Sequence, residues 1–265
     1  MKKFCLSLLI FLASQLFIFG QSQKGNPASR YKTDYSAIKE VGRDLLDQLK
    51  PTFRDQLSPN PIWVIDELRP YTRPYQFIEG TVPTRIVYVT TGFIELLNTL
   101  AHAKAIDKIE NGFFDRYLAS LSETGQQVVP TLPQISDPRY WTDDVMNEQG
   151  SYFNQIIGAV TAIDLAHHYL AHYERYGDLL EDSAISPVTM AMSCTRQEWD
   201  LAFKLGAANA LECGFGVEGL KALYDSIERM PKRPGWTLYF LPRNADVSKL
   251  KKELDKIENR FFGVF

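Results

Sequence analysis

The chain has 265 residues, 45% of them hydrophobic and 23% charged, with a formal net charge of −3 at pH 7. This is globular composition, enough for one large domain or two small ones. The balance is mildly acidic with no basic stripe, which argues against nucleic acid as a partner. Lys2 and Lys3 precede an apolar run from Phe4 to Phe19, and Gly20 and Gln21 follow. A charged start, an apolar centre and a small residue at its end predict a secretory signal peptide over residues 1–20. The run is short for a membrane-spanning helix, which needs about 20 residues. The chain is therefore expected to be exported, periplasmic or secreted after cleavage, and to meet a membrane only if this segment is retained. Loss of Lys2 and Lys3 takes the net charge from −3 to −5.

Residues 21–34 are polar with Gly25 and Pro27, and read as a flexible mature N-terminus. Ile38, Val41, Leu45, Leu46 and Leu49 predict an amphipathic helix over 35–50, ended by Pro51. Ile62–Ile65 reads as a short strand, 67–84 as a loop or hairpin rich in Pro, Arg and Tyr, and Arg85–Thr91 as a second strand. Gly92 breaks it. A long helical tract follows from Phe93 to about Leu121, with a kink near Gly112. Residues 123–150 carry Pro130, Pro133 and Pro138 and form the longest irregular stretch, of a length often associated with function or mobility. A histidine-bearing helix spans 151–176. Its first half, Ile156–Ile163, is apolar nearly all round and so predicts burial. Helices are expected from Arg196 to Glu212, from Val217 to Met230 and from Asp246 to Phe262, with a third strand at Trp236–Leu241. There is no internal repeat. The sum is an α+β, mainly helical fold, with a small antiparallel or mixed sheet packed on a helical core.

The chemistry-bearing segment is Asp164-Leu-Ala-His-His-Tyr-Leu-Ala-His172, which holds three of the four histidines. On one helix, His168 and His172 stand at i and i+4, with Cβ atoms roughly 5–6 Å apart. Two imidazoles so spaced can share a divalent metal, and a carboxylate from the next helix would complete the three protein ligands common in catalytic zinc sites. Glu198, in Thr195-Arg-Gln-Glu-Trp-Asp, is the nearest suitable carboxylate. His167 points into the apolar stripe and reads as a satisfied core residue, and His102 reads as structural. Gly214-Phe-Gly-Val-Glu-Gly219 matches Gly-x-Gly-x-x-Gly, but it follows a helix instead of a strand and so lacks the context for phosphate binding. Gly214 there reads as a helix C-cap. The segment between Cys194 and Cys213 reads as helix, about 30 Å long at 1.5 Å per residue, which argues against a disulfide between them.

Ile62-Trp-Val-Ile-Asp66 followed by Ile86-Val-Tyr-Val-Thr-Thr-Gly-Phe-Ile-Glu-Leu-Leu97 resembles the HtpX-like gluzincin zinc metallopeptidases. In that family two such strands precede a helix bearing His-Glu-x-x-His, and a glutamate ligand follows on a later helix. The resemblance covers roughly 60–97 and 160–230. It implies a zincin-like domain over 35–265 with an insertion at about 100–150. It implies zinc held by His168, His172 and Glu198, and a peptide or protein substrate or partner. Asp164 or Asp200 would be an orienting residue or a further ligand. The sequence departs from the pattern at Tyr169, which stands at the general-base position. A phenol, with a reference pKa near 10, is a poor base at neutral pH. Asp164 and Glu148 are the carboxylates left to take that proton. Aligning Asp200 with the family's later acid puts Arg196 at the ligand position, and a guanidinium cannot bind zinc. Two readings follow: an exported zinc-dependent peptide hydrolase, or a non-catalytic binding or scaffold protein of the cell envelope. A third reading takes the histidines as ordinary interior residues of a helical domain.

Overall fold

The computed structural model describes residues 35–123, 131–181 and 188–263, together with Tyr31. The expected signal peptide at 1–20, and 21–34 apart from Tyr31, lie outside the described residues. The first helix, α1 (Tyr35–Asp47), buries Ile38, Val41, Leu45 and Leu46, the face its periodicity predicts. Pro51 does more than end it. It opens a one-turn helix, α2 (Pro51–Arg54), where a missing N–H costs nothing.

Three strands follow: β1 (Ile62–Ile65), β2 (Thr72–Glu79) and β3 (Val82–Thr90). They form one mixed sheet of order β1-β3-β2, with β1 parallel and β2 antiparallel to β3. Ile62, Val87, Val89, Thr72 and Pro74 share the buried face. Trp63, Tyr88, Arg73, Tyr75 and Phe77 share the other. The stretch expected as a loop or hairpin thus supplies a full strand, β2, despite Pro74, and the start of β3, despite Pro83.

Thr90 caps α3 (Thr91–Asp107), its hydroxyl accepting from the Phe93 N–H. Gly92 is required at the strand–helix junction, because a Cβ there would stand 2.0 Å from the Leu68 carbonyl oxygen. The single long helix expected to Leu121 is two: after α3 the chain turns through Gly112, at φ +79, into α4 (Phe113–Glu123). α3 has already ended at Asp107 with Lys108 as its right-handed cap, and the left-handed Gly112 redirects the chain into α4. Beyond a 3-10 turn at Pro138–Trp141, α5 runs from Asp143 to Tyr169, so 143–150 is helical and not irregular. Then come α6 (His172–Glu181), the single turn α7 (Met190–Ser193), α8 (Arg196–Glu212), α9 (Glu218–Arg229) and α10 (Val247–Phe261).

The expected third strand at Trp236–Leu241 is instead a 3-10 turn over Gly235–Tyr239. Its Thr237 hydroxyl donates to the Pro234 carbonyl at 2.8 Å. Trp236, Thr237, Tyr239 and Leu241 are all buried, a pattern that lacks the two-residue alternation of a half-buried strand. The sum is an α+β, mainly helical fold with a small three-stranded mixed sheet.

The 27-residue α5 is the axis of the core. It packs on α3, α8, α9 and the sheet, and every residue from Ile156 to Tyr169 is buried. Gly206 brings α8 against it: a Cβ there would lie 2.5 Å from the Ile163 nitrogen. Cys194 and Cys213 flank α8 at its two ends and are both free thiols.

Candidate functional site

The histidine segment does not form one helix. α5 ends at Tyr169, Leu170 caps it, and Ala171 adopts φ +58 before α6 begins at His172. That left-handed residue turns His172 away from the face His168 occupies, so the two imidazoles do not converge as the i, i+4 spacing predicts. His168 Nε2 lies 2.7 Å from the Ile86 carbonyl of β3. A carbonyl only accepts, so Nε2 carries the proton. His168 Nδ1 is left bare, buried and without a partner. His172 Nδ1 instead meets His167 Nδ1 at 2.9 Å, one donating to the other. His167, expected to be a satisfied core residue, keeps its Nε2 buried and unpartnered.

Burial dominates the electrostatics of all three rings. It presses His168 down to about 4 and His167 well below the ordinary histidine value, the neighbouring His172 adding to the second effect. His172 is lowered by burial too, against the pull of Glu198. The rings are neutral side chains of the core at pH 7.

Glu198 sits in the first turn of α8 and closes a capping box with Thr195. Its Oε2 accepts from the Thr195 N–H at 2.9 Å, the Thr195 hydroxyl at 2.8 Å and the Tyr176 hydroxyl at 2.8 Å. Arg175 pairs with the other oxygen. Burial would raise this carboxyl, but the bonds from Thr195 and Tyr176 and the Arg175 charge outweigh it and hold it at about 2. Its lone pairs are committed to the helix end. Asp200 pairs with Arg196 at 2.7 Å along α8. Among the described residues no three His, Cys, Asp or Glu side chains are grouped so as to hold a metal ion.

Tyr169 stacks on Phe53 with ring centroids 4.5 Å apart, and burial raises its phenol further above the neutral range. It is a packing residue. Glu148 pairs with Lys108 and stands 16 positions before Asp164, about 24 Å along the helix. His102 donates from Nε2 to the Tyr140 carbonyl at 2.6 Å, a structural role. Gly214 is the left-handed C′ residue of a Schellman cap: its N–H bonds the Leu211 carbonyl, and Phe215 N–H the Ala210 carbonyl.

Two features stand out that the residue patterns did not indicate. Asp164 is buried, with one carboxylate oxygen unpartnered, and lines a small cavity with Thr72, Trp199 and Tyr239. Burial raises its carboxyl to about 7, against a hydrogen bond from Thr72. The second feature is the outer face of the sheet. Tyr75 stacks on Tyr88 at 4.5 Å, and Phe77 bridges Tyr75 at 6.4 Å to Trp63 at 5.2 Å. Trp63 is 41% exposed, and Ile78 and Val82 at the hairpin end are 65% and 63% exposed. Arg73 lies 5.9 Å from the rings of Tyr75 and Tyr88, and its Nη1 donates to the Leu180 carbonyl at the end of α6. The alternation of Tyr75, Phe77 and Tyr88 was the available signal for this face; the prolines obscured it. No family model, no characterised protein and no solved structure matches the chain.

Proposed function

We propose that the chain is a non-catalytic binding protein of the cell envelope, and that a peptide or protein partner docks on the outer face of its sheet. The observation that carries this reading is the half-buried aromatic row Phe77, Tyr75 and Tyr88, bounded by exposed Trp63 and continued at the hairpin end by exposed Val82. Exposed apolar surface of this kind, gathered on one element, is characteristic of an interaction site. Aromatic residues supply much of the energy at such sites. The zinc-peptidase alternative needs His168, His172 and Glu198 to face one point. Each of them is engaged elsewhere, in a sheet carbonyl, a second imidazole and a helix cap.

The test has two arms. Purified protein is assayed against unfolded casein with and without a chelator, and no chelator-sensitive cleavage is expected. The paired substitution Trp63→Ser and Tyr88→Ser is then compared with wild type for capture of partners from an envelope extract, with circular dichroism as the folding control. Loss of capture in a folded variant supports the reading. Chelator-sensitive cleavage by the wild type overturns it.

A further inference from the structure

Asp164 lies in the fully buried C-terminal half of α5, five residues before its end, and none of the residues that line its cavity with it is cationic. The cavity, of about 10 Å³, is walled by Trp199 from α8, Tyr224 from α9, Tyr239 and Phe240 around the 3-10 turn, and Thr72 from β2. It has room for about one water-sized group. A buried carboxylate with an unsatisfied oxygen is costly, and it either keeps a proton or recruits a positive charge.

The lining discriminates among possible guests. A zinc or calcium ion needs four or more donors, and this cavity offers one carboxylate and one threonine hydroxyl. Neutral water gains nothing special from aromatic walls. A small cation gains twice, from the carboxylate and from the electron-rich rings that surround it. An ammonium ion combines that charge with water-like size and with N–H donors for the free Asp164 oxygen and for Thr72.

We propose that this cavity is a binding site for an ammonium group, with Asp164 as its counter-ion and the four aromatic residues as its walls. The guest is either free ammonium or the tip of a primary amine. The site is separate from the outer sheet face and stands or falls independently of it.

The experiment titrates the full protein with ammonium chloride in an ammonium-free buffer, reading Trp199-dependent fluorescence and the melting temperature. Sodium chloride at equal ionic strength is the control. Ammonium is expected to give a saturable fluorescence change and a raised melting temperature that sodium does not reproduce. Asp164→Asn is expected to abolish both. Phe240→Leu keeps the carboxylate and removes one wall, and weakens binding several-fold, which tests the site even if Asp164→Asn fails to fold. A methylammonium arm distinguishes the two sources: binding points to a primary amine, and no binding beside a positive ammonium response points to the free ion. Equal responses to ammonium and sodium in the wild type, as a cavity holding only water would give, overturn the proposal. So does an undiminished ammonium response in a folded Asp164→Asn protein.

Discussion

The buried histidines make acid stability the sharpest test of the core. His168 is neutral in the folded protein, with its value pressed down to about 4 by burial, against an ordinary 6.5. Its folded value lies below its unfolded value, so the contribution is fully present above pH 6.5 and drains away as pH falls toward 4. Linkage with these two values gives a loss of about 2 kcal/mol between pH 7 and pH 5 and about 3 kcal/mol by pH 4. His167 acts in the same direction and Asp164 in the opposite one, so the comparison of variant with wild type, and not the wild-type profile alone, isolates His168. His168→Gln isolates one contribution, because the amide can still donate to the Ile86 carbonyl while having no proton to gain. At neutral pH the variant should lose about 1 kcal/mol, the scale of an imperfectly replaced hydrogen bond. Between about pH 7 and pH 5 it should lose about 2 kcal/mol less than the wild type. Urea unfolding followed by tryptophan fluorescence at the two pH values measures this. If wild type and variant lose equal stability over that interval, His168 is not a buried neutral imidazole and the account of its role fails.

Gly206→Ala would put a Cβ 2.5 Å from the Ile163 nitrogen and 2.6 Å from its Cα, so α8 must move off α5. The expected cost is about 3 kcal/mol, visible as a lowered melting temperature. Glu198→Ala should cost about 1 kcal/mol through the lost capping box and leave the zinc-to-protein ratio at the wild-type value by elemental analysis. Asp164 has the opposite sign from the histidines. Its folded value is raised to about 7, so its stability contribution is lost as pH rises from about 4 through 7. In ammonium-free buffer, Asp164→Asn should gain about 3–5 kcal/mol over the wild type on going from about pH 4 to about pH 8, in the same urea assay.

Most of the helices were legible because their apolar residues repeat at the helical period and because their ends are marked. The expected α8 matches in both termini, since Thr195 signals its start and Gly214 follows its end. β2 was obscured by Pro74 and Pro83, which demote a strand on local grounds. Pro74 is tolerated because β2 bonds only one neighbour, β3, and Pro83 because it lies at the start of β3, before the residues that pair with β1. The break at Ala171 had no local signal at all. Alanine is the strongest helix former, and Tyr169-Leu-Ala-His172 contains nothing that stops a helix. Tertiary contacts end it: α6 is tied down alongside β2 and β3 by Arg85 to Glu174 and by Arg73 to the Leu180 carbonyl. The zinc expectation for His168 and His172 rested on that uninterrupted helix. By contrast, Glu198 could have been read differently from sequence, because Thr195-Arg-Gln-Glu198 is itself the capping-box pattern.

Asp164 and His168 stand at i and i+4 on α5, roughly 6 Å apart at their Cβ atoms. Yet their hydrogen bonds run to different strands, Asp164 to Thr72 of β2 and His168 to Ile86 of β3. One is an acid whose folded value is raised and the other a base whose folded value is lowered, so both favour the neutral form. Over about pH 4 to pH 6.5 the two slopes have opposite sign and nearly cancel, so together these two groups leave the wild type's stability almost flat there, and each single substitution uncovers the slope of the other. The paired substitution Asp164→Asn and His168→Gln should remove both slopes. If the sites titrate independently, its pH profile equals the sum of the two single-variant changes to within about 0.5 kcal/mol. A larger deviation, read from the same urea titrations, would mean that the carboxyl and the imidazole share a proton across one turn of α5. The assignment of the Nε2 proton to the Ile86 carbonyl alone would then be wrong.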